Sequence, residues 1–223
     1  MGGQVKLFIV DFDDFDTDDL AIRLQKFGIE IDSSSRTYKQ KLFSQFIRHE
    51  VLMVFLKLLK IKFSVNKNNK PYLESHSHTY FNISHTKNQI VMAVADKEIG
   101  VDVEEIVSKK NNMAIARRYF GDCEIKNLEQ SADLQKDFYT LWTLKESQVK
   151  QNSLGIAYGL KDALFFRKNN RWISESFETD FLTYFYNNNA VISLCYAGIY
   201  DSPPIIYKIK GDCCFEQIDL RCS

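Results

Sequence analysis

The chain has 223 residues, enough for one large domain or two small ones around a sizeable buried core. Hydrophobic residues make up 45% and charged residues 26%, which excludes a disordered chain and fits a soluble globular protein. Lys plus Arg equals Asp plus Glu at 29 each, so the net charge names no partner, neither nucleic acid nor membrane.

The N-terminus, MGGQVKLFIVDFDD, has no basic start followed by a long apolar core and is not expected to be a signal peptide. Lys6 to Phe12 is apolar and β-branched and predicts a strand. The acidic stretch Asp11 to Asp19 follows. It does not match a calcium loop: counted from Asp14, the sixth position is Asp19 rather than Gly and the twelfth is Gln25 rather than Glu. Asp16 or Thr17 caps a helix expected to run through Phe27. A longer helix is expected from about Ser35 to Lys60, with Leu42, Phe43, Phe46, Ile47, Val51, Val54, Phe55, Leu58 and Leu59 as its apolar face. Nine basic residues fall between Arg36 and Lys70, with only Glu50 against them. They form either a solvated helix face or a basic rim for phosphates.

Strands then dominate. Ile61 to Val65 alternates, Asn66 to Pro71 is a turn, Thr79 to Ser84 and Gln89 to Asp96 pair, and Gly100 to Glu105 alternates again. Helices are expected at about Asn112 to Phe120 and Ala132 to Lys150. The last third returns to strands at Ala163 to Arg167, Trp172 to Ser174, Phe181 to Tyr186 and Val191 to Ile199. No apolar run approaches a membrane span. TYFNISHTKNQIVMAVAD near residue 80 is similar to TYFYNNNAVISLCYAG near residue 183, each a strand, a turn and a strand. This suggests two similar α+β halves with a cleft between them. Five cysteines, Cys123, Cys195, Cys213, Cys214 and Cys222, are odd in number and show no CxxC spacing. They are expected to be reduced thiols of an intracellular, cytoplasmic protein.

Three segments carry chemistry. In GVDVEEI, Gly100 to Ile106, strand alternation puts Asp102 and Glu104 on one face and Val101 and Val103 on the other. Neighbouring carboxylates repel unless a cation lies between them, and magnesium, which takes oxygen ligands and bridges phosphates, is the natural guest. An exposed acidic strand face is the alternative. In FYTLWTLKESQVK, Phe138 to Lys150, residues Trp142, Lys145, Glu146, Val149 and Lys150 share one broad helix face. Glu146 and Lys150 are either a surface ion pair or, because Trp142 and Val149 should be buried, part of a charged site completed by metal and phosphates. In FNISHT, Phe81 to Thr86, a strand ends in a histidine between hydroxyls, which is either structural or functional. His76-Ser77-His78 has no neighbours to complete a zinc set.

Taken in order, NKP, FNISHT, GVDVE and WTLKESQVK resemble the phosphopantetheinyl transferase superfamily, in its longer, Sfp-like group. The family pattern is roughly G-K-P before F-N-I-S-H-S, then G-[IV]-D-[IV]-E, then W-x-x-K-E-x-x-x-K. The resemblance runs from about Ile61 to Leu160. It implies an α+β phosphopantetheinyl transferase fold of two α/β halves in a pseudo-twofold arrangement, residues 1–100 on the coenzyme A nucleotide side and 101–223 with the metal strand and catalytic helix. It implies transfer of the phosphopantetheine arm of coenzyme A to a serine of an apo acyl or peptidyl carrier protein, with release of 3′,5′-ADP. By resemblance, Asp102, Glu104 and Glu146 hold magnesium, or manganese in its place. Glu146, or a water it orients, is the base, with Glu104 beside it. Lys150 and Lys145 stabilise charge on the phosphates, and His85 contacts the 3′-phosphate with Arg48. Lys70, Ser84 and Arg36 complete the coenzyme A site. A chain of this kind is expected to act as a monomer.

Three positions depart from the pattern. Asn69 replaces the Gly before Lys-Pro and tolerates the same left-handed backbone. Thr86 replaces Ser and keeps its hydroxyl. Ser147 stands where a small residue is common. The carrier is expected to meet the segment Met113 to Asp122, with Arg117 and Arg118 for its acids and Tyr119 or Phe120 for its apolar face. The rival functions are an inactive relative that only binds coenzyme A or carrier protein, another magnesium-dependent phosphoryl enzyme, and a non-enzymatic nucleotide-binding module.

Overall fold

A computed structural model describes residues 4–108, 111–153, 159–168, 171–174, 179–200 and 202–220; Cys222 lies outside them. In chain order the elements are β1 (Lys6–Asp11), α1 (Thr17–Gln25), α2 (Tyr38–Arg48), β2 (Phe63–Val65), β3 (Pro71–Leu73), β4 (Tyr80–His85), β5 (Gln89–Ala95) and β6 (Ile99–Glu105). They continue with α3 (Asn112–Tyr119), α4 (Asp122–Glu129), α5 (Leu134–Asn152), β7 (Phe165–Lys168), β8 (Arg171–Ser174), β9 (Thr179–Tyr186), β10 (Ala190–Ala197), β11 (Ile205–Ile209) and β12 (Phe215–Ile218). The class is mixed α and β. Among the described residues no helix is long and apolar enough to cross a membrane.

Two sheets dominate, a mixed one in the order β12-β11-β1-β5-β4 and an antiparallel one in the order β6-β10-β9. They stack face to face. Val5, Leu7 and Ile9 from the β1 segment and Val91 and Ala93 of β5 meet Val101 and Val103 of β6 and Ala190, Ile192 and Leu194 of β10. The alternate residues of β1 and β5, Phe8, Val10, Ile90 and Met92, face outward onto Leu20 and Leu24 of α1 and Leu42, Phe43, Phe46 and Ile47 of α2. On the opposite side Val191 of β10 packs beneath Phe138, Leu141 and Leu144 of α5. The result is four layers, helix, sheet, sheet and helix, and both central sheets are covered on both faces.

Three elements differ from expectation. The helix expected to reach Lys60 ends as α-helix at Arg48 and continues as a wider π-helical segment, His49–Phe55. Its consecutive residues His49, Glu50, Val51 and Leu52 are all buried, more than one face of an α-helix could hide. Glu50 is held there by Arg23, at 2.9 Å from Nη2, and by His49 Nδ1 at 3.1 Å. Lys57 and Lys60 adopt left-handed backbone angles, φ 54° and 53°, so the lysines that follow leave the helix. A second difference is α4, a helix the sequence pattern does not signal. The third is the return of the chain after residue 200: β11 pairs parallel with β1, and β12 pairs with β11, in the first sheet.

The turn expected over Asn66 to Pro71 ends at Lys70, since Pro71 opens β3, and Asn69 takes φ 63°. Asn66 Oδ1 accepts from Asn68 N at 2.9 Å and Lys70 N at 3.0 Å, which fixes the loop.

Candidate active site

The site lies where β4 and β6, edge strands of the two stacked sheets, come together. β4 and β6 run side by side but are not joined by a backbone ladder. Side chains make the junction instead. Asn82 Oδ1 accepts from Val101 N at 2.9 Å, and two residues on, Ser84 Oγ donates to Asp102 Oδ1 at 2.8 Å. Strand alternation places Asn82 and Ser84 on the same side, as it does Asp102 and Glu104.

Helix α5 closes the site from above. Gly100 allows it: a Cβ there would lie 1.9 Å from Ser147 O and 2.6 Å from Gln151 N, so any side chain would force the helix off the strand. This close approach brings Lys150 Nζ to 2.6 Å from Asp102 Oδ1 and 2.9 Å from Ser84 Oγ. Ser84, Asp102 and Lys150 thus form one hydrogen-bonded group contributed by β4, β6 and α5. Glu146, one turn before Lys150, is 5% exposed. Burial first, and then the charges of Asp102 and Glu104, push its carboxyl up to about 7, against the opposing pull of Lys150.

Asp102 is almost fully buried, and its Oδ2 has no hydrogen-bond partner. Among the described residues no three His, Cys, Asp or Glu side chains are gathered into a metal-holding group, and Asp102 Oδ1 is taken by Lys150 and Ser84. Asp102 Oδ2 is thus an orphaned buried oxygen, and beside it burial, with the charges of Asp102 and Glu104, holds the Glu146 carboxyl at about 7.

The next residue of β4, His85, is exposed and shares a groove of about 710 Å³ with Arg48, Lys41, Gln45 and Ser44 of α2. Arg48 Nε is buried without a partner, and burial lowers the guanidinium pKa. Its guanidinium carbon sits 5.6 Å from the centre of the Phe63 ring. Glu105, not singled out in the sequence, accepts from Thr86 Oγ1 at 2.9 Å and Asn88 Nδ2 at 3.0 Å, and so pins the β4–β5 turn beside the site.

Three other residues expected to contact coenzyme A are paired within the protein or lie outside this groove. Lys145 is fully buried on another side of α5, with Glu124 at 2.8 Å and 2.7 Å and the Ala163 carbonyl as its acceptors, because successive helix residues diverge by about 100°. Glu124 also accepts from Gly121 N and Phe165 N, so this ion pair ties α4, α5 and β7 together. Lys70 lines a smaller pocket of about 270 Å³, but its ammonium is taken by Glu98, Ile99 O and Gln151 O. Arg36 is exposed in the turn before α2 and is not among the residues lining the His85 groove.

Residues 98–195, from the turn before β6 to β10, match the model of the 4′-phosphopantetheinyl transferase superfamily. The 4′-phosphopantetheinyl transferase psf-1 of Bacillus pumilus is 36% identical over 138 residues, covering 61% of this chain and 57% of that protein. A 4′-phosphopantetheinyl transferase of Bacillus subtilis is 40% identical over 102 residues, 45% of each chain. That of Aneurinibacillus migulanus, gsp, is 28% identical over 156 residues, 69% of this chain and 58% of its own. The chain spans about half the length of the curated relatives it matches. Residues 98–195, which carry Asp102, Glu104, Glu146 and Lys150, are thus similar to the 4′-phosphopantetheinyl transferase superfamily.

Proposed function

We propose that this protein transfers 4′-phosphopantetheine from coenzyme A to a serine of an apo acyl or peptidyl carrier protein. The observation that carries the proposal is the Ser84–Asp102–Lys150 group with the half-neutral Glu146 beside it, next to the groove of Arg48 and His85. A pyrophosphate, a 3′-phosphate and an attacking hydroxyl each find a matching residue there.

Asp102, Glu104 and Glu146 would hold magnesium or manganese. Bound there, the cation would offset the negative charge of the carboxylates and of the pyrophosphate. The remaining work belongs to the chain. Glu146, or a water it orients, takes the proton of the carrier serine hydroxyl. The serine oxygen forms its bond to the phosphorus next to pantetheine, the bond from that phosphorus to the bridging oxygen breaks, and 3′,5′-ADP leaves with the electron pair. Lys150 turns from Asp102 to the phosphate oxygens, and Ser84 orients Asp102. His85 and the unsatisfied Arg48 hold the 3′-phosphate in their groove. Arg117 and Arg118 on α3 meet the acids of the carrier, with Tyr119 against its apolar face.

The two halves are related by a pseudo-twofold axis in this proposal, so that one chain supplies both walls of the site and works as a monomer in the cytoplasm. The strand orders support it: β1-β5-β4 and β6-β10-β9 each place a single strand, then the second strand and then the first strand of a hairpin. In this proposal the halves are residues 1–100 and 101–223, with β11 and β12 of the second returning to complete the first sheet.

Intact-mass spectrometry of apo carrier proteins incubated with this protein, coenzyme A and magnesium tests the function. The expected result is a gain of one phosphopantetheine mass, lost with EDTA and with Glu146→Ala. Tight coenzyme A binding without any mass gain would replace the proposal with an inactive binding relative.

A further inference from the structure

We infer that Lys70 is a positioning residue that locks the last turn of α5 onto β6, rather than a ligand of coenzyme A phosphates; the inference rests on the transfer reaction proposed above. An ammonium has three donors and no acceptor, and all three find acceptors here. Lys70 Nζ lies 2.5 Å from Glu98 Oε2, 3.1 Å from Ile99 O and 3.0 Å from Gln151 O, and the side chain is 10% exposed. Ile99 opens the strand that carries Asp102 and Glu104. Gln151 follows Lys150 in the helix that carries Glu146.

The carbonyl of Gln151 is one of the four that a helix leaves without an internal partner at its C-terminus, where the helix dipole also favours a cation. The same turn makes a second contact: Asn66 Nδ2 donates to Ser153 Oγ at 3.2 Å, and Ser153 ends the helix with φ 62°. Gly100 occupies the other side of the joint, where only the absence of a Cβ lets Ser147 O and Gln151 N approach β6. Lys70 therefore bonds to strand and helix at their point of contact. Lys150, one residue from that point on α5, and Asp102, three residues from Ile99 on β6, meet at 2.6 Å as a consequence. The loop that presents Lys70 is itself fixed by Asn66 and by the left-handed Asn69, so the clamp is rigid before any ligand arrives.

Lys70→Met keeps the aliphatic stem and removes the three donors. Hydrogen exchange of the free protein should show the amides of residues 148–152 exchanging about 10-fold faster, with those of β9 and β10 unchanged. In the transfer assay kcat should fall about 10- to 100-fold, because a small misplacement of reacting groups is costly. Coenzyme A affinity measured calorimetrically with magnesium should stay within about twofold, since no phosphate contact is lost. Asn66→Ala, which carries no charge at any stage, should reproduce the same pattern more weakly and serves if Lys70→Met fails to fold. Coenzyme A binding weakened tenfold or more, with exchange at residues 148–152 unaltered, would overturn the inference and return Lys70 to the phosphates. If the wild-type protein modifies no carrier, the proposed function fails, while the exchange comparison still decides whether Lys70 clamps the helix.

Discussion

Glu146 is under strong electrostatic constraint. It is buried, it faces the charges of Asp102 and Glu104, and its carboxyl titrates at about 7 instead of 4.5. A carboxyl raised in the folded state keeps its proton where the unfolded chain has lost it. The associated stability is therefore fully present below about 4.5 and is lost as pH rises through about 7. Glu146→Gln imitates the protonated form. In EDTA, the variant and the wild type should match near pH 4.5, and by pH 8 the variant should be more stable by about 3 kcal/mol. Urea unfolding at the two pH values measures this; a gap that does not widen with pH would mean that the carboxyl is not raised. At this scale the sequence was informative where spacing alone decides. Alternation gave Asp102 and Glu104, and i to i+4 gave Glu146 and Lys150. It was uninformative for Lys145 and Lys70, whose partners Glu124, Gln151 and Ile99 come from segments distant in sequence. Glu124 did leave a trace: three residues after Gly121, it closes back on the Gly121 N–H as the third residue of a helix often does.

Between elements, the contact of α5 with β6 decides whether a site exists. The strand offers a flat, glycine-opened surface at Gly100, and the helix lies on it at a spacing no other residue would permit. Gly100→Ala should push the helix outward by the width of a methyl group. Overpacking of this kind costs about 1–3 kcal/mol. The larger effect should be on chemistry, since Lys150 would move from Asp102 while the Arg48 and His85 groove, built by α2 and β4, stays intact. Transfer should fall by about 100-fold or more with coenzyme A affinity little changed. A loss confined to coenzyme A binding would contradict this division of labour. The elements themselves were legible where the pattern was strong, as in β1, β4, β5, β6 and α5. The segment Ser35 to Lys60 looked like one helix because its apolar residues keep helical spacing. Glu50, drawn inside by Arg23 and His49, instead widens the helix after Arg48. Helix α4 was invisible because its eight residues, DCEIKNLE, hold only Ile125 and Leu128 as large aliphatic residues.

The whole molecule holds together by joining two sheets that share no ladder, and the joint is polar at both ends. Near the candidate active site it is made by Asn82, Ser84 and Asp102. At the far strands it is made by Asp11 of β1, whose Oδ2 accepts from Tyr186 of β9 at 2.6 Å and pairs with Lys208 of β11 at 2.7 Å. Lys208 also reaches Asp14 at 2.9 Å, and Gln89 of β5 donates to Asp11 Oδ1 at 3.0 Å. None of this could be read from the sequence, because β11 pairs with β1 across nearly 200 residues and local patterning says nothing of so distant a register. Burial, then the hydrogen bond to Asp11, raises the Tyr186 hydroxyl from 10 to about 12. The folded chain thus retains a proton that the unfolded chain releases above pH 10. The stability tied to it is present below pH 10 and is lost as pH climbs toward 12. Tyr186→Phe removes both the hydrogen bond and the titration. At pH 8 the variant should be less stable than the wild type by about 1.5–3 kcal/mol, the ordinary worth of a bond to a charged acceptor. That deficit should shrink by up to about 2–3 kcal/mol as pH rises from 10 to 12, enough to abolish or reverse it. Paired denaturation curves at pH 8, 10 and 11.5 decide the matter. A deficit constant with pH would show that the tyrosine ionises as freely in the folded protein as in the unfolded chain, and that this end of the sheet stack depends on packing rather than on the bond from Tyr186 to Asp11.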